Sequence, residues 1–132
     1  MLNIYFTDKT KYLTHEYEKK FWLLKSEPSA WSWSNQVKEK TTMWDGVRNY
    51  QASKNLKAMK KNDLCFFYHS GKEKRIIGIV RIIKEHFRDK TDKANKFVSV
   101  MVRGEDELSK PVTLKKIKND KFFKKLALVK QS

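Results

Sequence analysis

The sequence predicts a small α+β domain built on a curved or barrel-like sheet. Its 132 residues are enough for one domain with a modest core and too few for a second independent domain. Several apolar and aromatic runs of strand length follow one another at close spacing, and the segments between them carry short helical patterns. This order favours such a domain over a parallel sheet of βαβ units.

The predicted domain begins with a buried strand. Residues 1–20 are polar and aperiodic, which predicts an N-terminal extension, and the domain is assigned to residues 21–132. Residues 21–24 form a compact apolar run, and Glu27 and Pro28 follow it closely. A short apolar run that is followed by a proline predicts a strand and then a break.

Two short helices are predicted next. Ser32 is placed to cap the first helix, in which Trp33 and Val37 stand four residues apart on one face. The second helix begins near Asn49 or Tyr50. Its apolar face consists of residues at helical spacing, namely Ala52, Leu56 and Met59.

A hairpin and a further strand follow the helices. Residues 64–69 and 75–83 have the aromatic and β-branched content of strands, and residues 70–72 have the composition of a turn between them. Gly78, inside the second strand, indicates a bulge or a close backbone approach. Residues 97–102 are predicted to form another strand.

The remaining segments are charged or weakly helical. Residues 84–97 are mostly charged and are predicted to form a long exposed loop. After Pro111, Thr113 and Asp120 are placed to start two short helical segments. The apolar residues that fit these segments are Leu114, Ile117, Phe122, Phe123 and Leu126.

The charge of the chain indicates its class of partner. The 30 Lys and Arg residues against 15 Asp and Glu give a net charge of +15, and such a chain attracts nucleic acid. Only five of the basic residues are Arg, so the charge favours general phosphate attraction over base-specific contacts. No run of about 18 apolar residues is present, so no membrane partner is expected. The lone Cys65 cannot form an internal disulfide and indicates a reducing, cytoplasmic location, while the oligomeric state is left open.

The sequence shows no recognisable catalytic or metal site. His15, His69 and His86 lie far apart, and no His/Cys pair has zinc-like spacing. Phosphate-binding, dinucleotide-binding and nucleophile motifs are missing as well. The prediction is therefore a protein with no catalytic residue, no metal and no cofactor. An enzyme that acts on a nucleotide or RNA through Glu27, Asp45 and His69 is the alternative.

The most informative stretch is residues 44–52, which combine two aromatics, a carboxylate, a guanidinium, an amide and a glycine. A bound base needs an aromatic face for stacking and polar groups for its hydrogen-bonding edge, and this stretch can supply both. An ordinary loop with Trp44 as a core anchor is the alternative. Because Trp33 and Trp44 flank polar residues, at least one is expected to face a pocket, whereas Trp22 fits the core and Trp31 fits either place.

A set of motifs runs from about residue 21 to the end of the chain. They are residues 21–28 (Phe-Trp-Leu-Leu-Lys-Ser-Glu-Pro), Trp33, residues 44–52, Leu56 to Met59, Asp63, residues 67–70 (Phe-Tyr-His-Ser), residues 77–79 (Ile-Gly-Ile), Asp89, and residues 111–114 with Ile117 and Lys118. Together and in this order, these motifs resemble the EVE domain family. The resemblance implies a PUA-like fold, which is a small mixed β-barrel with short helices.

The resemblance also implies a function, namely non-catalytic binding of a modified base, of the modified cytosine class, in an aromatic-lined pocket. The pocket positions that it implies are Lys25, Ser26, Glu27, Trp33, Trp44, Asn49, Tyr68, His69 and Ser70. Basic residues near these motifs are expected to contact phosphate at the rim, namely Arg48, Lys54, Lys57 and Lys72.

The sequence departs from the family pattern at its C-terminal end. The family domain continues into a closing strand where this chain reaches Ser132, so the final family strand is expected to be missing and the domain to be C-terminally truncated. A missing strand leaves an unpaired sheet edge. An inactive remnant or an interaction module is therefore a further alternative.

Overall fold

The computed structural model describes residues 21–119 and 127–130. The predicted N-terminal extension and the helical segment after Asp120 lie outside these residues. The six strands are β1 (Phe21–Ser26), β2 (Thr41–Trp44), β3 (Leu64–His69), β4 (Arg75–Arg88), β5 (Val98–Thr113) and β6 (Ala127–Lys130). The three helices of the described part are α1 (Trp33–Glu39), α2 (Tyr50–Ala58) and α3 (Leu114–Asn119).

The strands form one mixed sheet in the order β2-β5-β4-β3-β1-β6. β1 pairs in parallel with β3 and with β6, and the remaining pairs are antiparallel. Several register shifts interrupt the pairing of β4 with β3 and β5, and such bulges increase twist and bend a sheet. The predicted α+β class with a curved mixed sheet is confirmed.

The edge of β1 that lies away from β3 is covered by β6. Trp22 pairs with Ala127 and Lys25 pairs with Lys130 at the two ends of this short ladder. The sequence predicted no strand at this place, because four residues of β6 carry too little pattern to distinguish a strand from the end of a helix.

The core lies on both faces of the sheet, because neighbouring residues of a strand point to opposite sides. Trp22 and Leu24 of β1 belong to one cluster of buried side chains, which includes residues of α1 and α2. Leu23 of β1 belongs to a second cluster, which includes Ile117 of α3. We call these sides the first face and the second face.

Helix α1 begins where the sequence predicts but buries a different stripe. Ser32 caps it through a reciprocal capping box with Asn35. Trp33 and Gln36 are buried, whereas the side chain of Val37 is 53% exposed. The predicted face of Trp33 and Val37 is therefore wrong, because the buried stripe of this seven-residue helix follows the i, i+3 spacing.

Helix α2 agrees with its prediction in both its start and its buried face. The side chain of Asn49 caps the helix by accepting a hydrogen bond from the Ala52 amide. Ala52, Leu56 and Met59 are all buried in the first face. No helix among residues 21–119 and 127–130 has the length and apolar character needed to cross a membrane.

The β4–β5 hairpin extends further than predicted. Residues 84–88 belong to β4, and only residues 89–97 separate β4 from β5. The expected long exposed loop is therefore wrong in its length, and Asp89 and Asp92 within it are buried. Most side chains of residues 84–88 are exposed, so this part of the strand lacks the alternation that would have revealed it.

Gly78 combines the two features that the sequence indicates. The register of the β4–β5 pairing shifts between Ile76 and Gly78. A Cβ atom at Gly78 would lie 2.5 Å from the Trp33 ring, so the backbone approaches that ring too closely for any side chain. The bulge and the close approach are both confirmed.

Candidate base-binding site

A cavity of about 320 Å³ opens between the β1–α1 loop and β2. This volume lies within the usual range of small-molecule sites. The lining residues are Ala30, Trp31, Thr42, Met43, Trp44 and Asp45. The lining thus includes two tryptophans and one aspartate.

Trp31 is held at the cavity by a tight turn. The Glu27 carbonyl accepts hydrogen bonds from the amides of Ala30 and Trp31, at 2.9 and 3.0 Å. The Ser26 hydroxyl donates to the Trp31 carbonyl at 2.5 Å. The Trp31 indole Nε1 donates to Gln36 Oε1 of α1 at 3.0 Å, which fixes the plane of the ring. Trp31 is therefore anchored through both its backbone and its side chain.

Two carboxylates near this turn differ in their protonation behaviour. The Glu27 carboxylate accepts from the amide and the hydroxyl of Ser29, and these bonds lower its pKa. Burial raises the pKa of Asp45, and repulsion from Asp89 raises it further. Glu27 is thus engaged with its own turn, whereas Asp45 lines the cavity.

Asp89 organises the loop that follows β2. Its Oδ2 accepts from the Gly46 amide and from Arg48 Nη1, both at 2.9 Å. Its Oδ1 accepts from the amide and hydroxyl of Thr91, at 2.8 and 2.6 Å. Burial raises the Asp89 pKa, but the bonds from Thr91, Gly46 and Arg48 outweigh burial and lower the pKa to about 2. The residues next to Asp45 are therefore tied to an ionised buried group.

Trp44 forms part of the cavity from within the core. It is the last residue of β2, it is only 1% exposed, and its ring meets Phe67 edge-on at 5.6 Å between centroids. Among the described residues its indole Nε1 has no hydrogen-bond partner. Sequence reasoning placed Trp44 in a loop, because four residues of β2 give little strand signal.

Trp33 lies away from this cavity. Its ring packs on Gly78 and meets Phe67 edge-on at 5.4 Å, and its Nε1 donates to Glu107 Oε1 at 2.8 Å. It lines a different cavity, of about 270 Å³, together with Gln36 and residues of β5. The structure therefore does not bring Trp33 and Trp44 to one pocket.

His69 and Ser70 support the turn and helix beside the cavity. His69 Nε2 accepts from the Trp33 amide at 2.9 Å, so the ring carries its proton on Nδ1, which lies 3.0 Å from Glu73 Oε1. This hydrogen bond with His69 lowers the pKa of Glu73. The Ser70 amide donates to the Ser26 carbonyl at 2.9 Å. Both ring nitrogens of His69 are thus engaged in structural contacts.

Lys25 and Tyr68 lie on the opposite side of the sheet from Trp44. Tyr68 belongs to the second face, and the ammonium of Lys25 lies 5.2 Å from the centroid of its ring. Burial raises the pKa of the Tyr68 hydroxyl. Strand alternation divides the predicted set, so the structure does not bring these two residues to the cavity.

The other predicted residues are not among those that line the cavity. Asn49 Oδ1 accepts from the Ala52 amide, so this oxygen serves as a helix cap. Arg48 is ion-paired with Asp89 and also donates to the Thr91 hydroxyl. The three predicted rim lysines are all exposed, and they are Lys54, Lys57 and Lys72.

The part of the chain that the structure describes contains no cluster of three or more metal-ligating side chains. Cys65 is buried, and burial raises its pKa well above the usual value, which disfavours a reactive thiolate.

Sequence reasoning did not identify Trp31 and Asp89 as site residues. The sequence does not distinguish core from pocket for Trp31, because its place depends on contacts with Ser26 and Gln36 that residue patterns do not show. Asp89 belongs to the family motifs, but in a charged stretch its burial cannot be recognised among the exposed charges around it.

Solved structures with the same fold include proteins from bacteria and humans. An NMR structure of a protein from Rhodopseudomonas palustris is 42% identical in sequence, with a TM-score of 0.73 over 80% of this chain and 74% of that one. The crystal structure of human THYN1 protein in complex with DNA containing 5-methylcytosine is 34% identical, with a TM-score of 0.67 over 76% and 74% of the two chains.

Curated proteins match over a shorter segment. Thymocyte nuclear protein 1 from Gallus gallus is 49% identical in an alignment 82 residues long, and the match covers 53% of this chain and 34% of that protein. The Homo sapiens protein is 46% identical in an alignment of the same length, which covers 53% of this chain and 36% of that protein. The match thus spans about a third of the length of these relatives. The family model described as the EVE domain matches residues 20–132, and the chain belongs to the EVE domain family.

Proposed function

We propose that this chain is a non-catalytic reader that holds a modified cytosine of a nucleic acid in the cavity beside Trp31, Trp44 and Asp45. The observation that carries the proposal is the similarity to human THYN1 protein, whose structure was solved with DNA containing 5-methylcytosine. The cavity of this chain has suitable chemistry, because Trp31 and Asp45 are both in its lining.

Each lining group has a distinct role in the proposal. Trp31 stacks on the base, an interaction worth about 1–3 kcal/mol. The Asp45 carboxylate accepts a hydrogen bond from the exocyclic amino group that cytosine carries and thymine lacks. The added methyl group contributes about 1 kcal/mol where it meets apolar surface of the cavity, and the exposed Met43 side chain is in the lining.

The remaining predicted pocket residues support the site in this proposal. Ser26 and Glu27 shape the turn of Trp31, and Asn49 fixes the start of α2. Trp33, His69 and Ser70 join α1 to the strand ends. Lys25 and Tyr68 belong to the second face and are left out.

Two further observations favour binding over catalysis. Both ring nitrogens of His69 are engaged, and Glu27 is hydrogen-bonded to Ser29. A general acid or base must reach the proton that it transfers, and these two groups are turned to other partners. A cytoplasmic location and the absence of a cofactor remain predictions from the sequence.

The proposal is tested by titrating matched oligonucleotides, one with a single 5-methylcytosine and one with cytosine. The wild-type protein should prefer the methylated strand by about fivefold, the equivalent of one buried methyl group. Trp31→Ala should weaken binding to both strands and reduce the preference, and Trp31→Phe should retain part of both. A thermal melt of each variant controls for folding.

Asp45→Asn provides a second arm of this test. An amide can donate as well as accept, so the variant should discriminate less between cytosine and thymine at the modified position. A wild-type protein that binds both oligonucleotides equally, or a Trp31→Ala variant with its preference intact, contradicts the assignment of the cavity.

A further inference from the structure

Tyr50 is the most exposed large apolar side chain of the described residues, with 69% of its surface accessible. It is the first residue of α2 and follows the Asn49 cap directly. Its ring lies 5.1 Å from the ring of Phe97, with an angle of 34° between the two planes. One side of the exposed ring is thus supported by a second aromatic residue.

The support beneath Tyr50 is itself fixed by buried contacts. Phe97 is 8% exposed, and its amide donates to Asp92 Oδ2 at 2.8 Å. The Arg48 guanidinium lies 5.4 Å from the Phe97 ring centroid and is ion-paired with the buried Asp89. An aromatic residue that is exposed on a rigid support is suited to stacking, because little rotamer entropy is lost on binding.

The segment around Tyr50 in the chain carries positive charge. Residues 46–62 contain no acidic residue, and they include the exposed Lys54, Lys57, Lys60 and Lys61. A basic surface that contains an exposed aromatic ring matches single-stranded nucleic acid, in which phosphates and unstacked bases alternate. Burial of these charges against a hydrophobic protein partner would carry a desolvation penalty.

Tyr50 also lies near the proposed base cavity. Asp45 lines that cavity and precedes Tyr50 by five residues, which span at most about 18 Å of extended chain. Stacked bases of one strand are spaced by about 3.4 Å, so the Tyr50 ring lies within about five nucleotides of the cavity.

We propose that Tyr50, supported by Phe97, is a second stacking site, which takes an unmodified base of the same strand a few nucleotides from the base held in the cavity. This inference rests on the proposed function for the nucleic-acid partner and for the base in the cavity from which positions are counted, but not on a preference for methylation. The second site adds affinity without regard to methylation, because every base has a face on which Tyr50 can stack.

The test measures dissociation constants for fluorescein-labelled single strands with one central 5-methylcytosine or cytosine. Tyr50→Ala should raise both constants by about 5- to 100-fold and leave their ratio unchanged. Tyr50→Phe keeps the ring and should bind like the wild type. Val37→Ala, which removes another exposed apolar side chain, should have no effect on either constant.

Strands with abasic positions locate the stacked base. An abasic nucleotide is placed in turn at each position within about five nucleotides of the central cytosine. At one position the abasic nucleotide should weaken binding by the wild type but leave binding by Tyr50→Ala unchanged. This is the pattern of a direct interaction in a double-mutant cycle.

The outcomes separate the two proposals. If the wild type binds the methylated and unmethylated strands equally, the proposed reader is contradicted. If Tyr50→Ala still weakens binding to both strands strongly, the stacking site is supported. A Tyr50→Ala variant within about twofold of the wild type on both strands overturns the stacking site. A Tyr50→Phe variant as weak as Tyr50→Ala overturns it too, because the hydroxyl group and not the ring would then be responsible.

Discussion

The Asp89 carboxylate connects two segments that are far apart in the chain. Its four hydrogen bonds join the Gly46 and Arg48 loop, beside the cavity, to Thr91 at the end of the long hairpin. The side chain has no exposed surface, so these bonds compensate a buried charge. A single buried residue thus links the loop next to Asp45 to the β4–β5 turn.

This arrangement predicts that Asp89 contributes to pH-dependent stability and that Asp89→Asn removes this contribution. The folded pKa of about 2 is lower than the ordinary value of 3.8, so the ionised form favours folding. The difference corresponds to about 2 kcal/mol, present in full above pH 3.8 and lost as the pH falls towards 2. The gap between wild type and Asp89→Asn in urea unfolding should therefore shrink over that range.

The control for this prediction is Glu39→Gln, which changes an exposed carboxylate of α1. Its free energy of unfolding should stay within about 0.5 kcal/mol of the wild type at every pH. An Asp89→Asn gap that is the same at pH 2 and at neutral pH would contradict the assignment of the lowered pKa to Asp89.

At the scale of elements, the sequence was informative where a segment has one buried side and a clear start. The α2 helix shows this, because the Asn49 cap and the apolar residues at helical spacing predict both its start and its buried face. β2 and β6 have only four residues each, so their pairing depends on partners that are distant in sequence. Local pattern could not have predicted them.

The contact between Gly78 and α1 gives a prediction at this scale. In Gly78→Ala the new methyl group would lie 2.5 Å from the Trp33 ring, which is held by Phe67 and by its bond to Glu107. The ring or the strand must move, and we expect a loss of about 1–3 kcal/mol of unfolding free energy in a denaturant titration.

Gly104→Ala is the matched control in the neighbouring strand. Its new Cβ atom would meet nothing closer than 3.7 Å, which is an ordinary contact. That variant should change the stability by no more than about 0.5 kcal/mol, or stabilise slightly by restricting the unfolded chain. Equal losses in the two variants would show that the proximity of Trp33 is not the cause.

At the scale of the whole molecule, the two faces of the sheet explain how far the site could be predicted. The motif residues 25–26 and 68–69 are adjacent in the parallel pairing of β1 and β3, where Lys25 faces Tyr68 and Ser26 faces His69. Strand alternation sends one pair to each side. A motif shows which residues cluster in the sequence, but pairing register decides which of them share a pocket.

The same division predicts where the positive charge acts. α2 packs on the first face, begins five residues after Asp45, and carries the exposed Lys54 and Lys57. α3 packs on the second face and carries the exposed Lys115 and Lys116. The two lysine pairs contribute equally to the net charge. Removing one pair or the other therefore distinguishes local phosphate contacts from general electrostatic attraction.

The affinity for single-stranded nucleic acid should fall as the salt concentration rises from about 50 to 200 mM. A plot of log affinity against log salt concentration should be linear, with a slope of about −0.7 for each phosphate contacted. The double variant Lys54→Gln, Lys57→Gln should make the slope shallower by about 1.4, because two contacts are lost. The double variant Lys115→Gln, Lys116→Gln removes the same charge on the other face and should keep the wild-type slope.

Equal changes in the two variants would mean that net charge, and not a phosphate path along α2, governs the affinity. A slope near zero in the wild type would exclude phosphate contacts as a source of affinity, and stacking in the cavity and on Tyr50 would then have to supply it all.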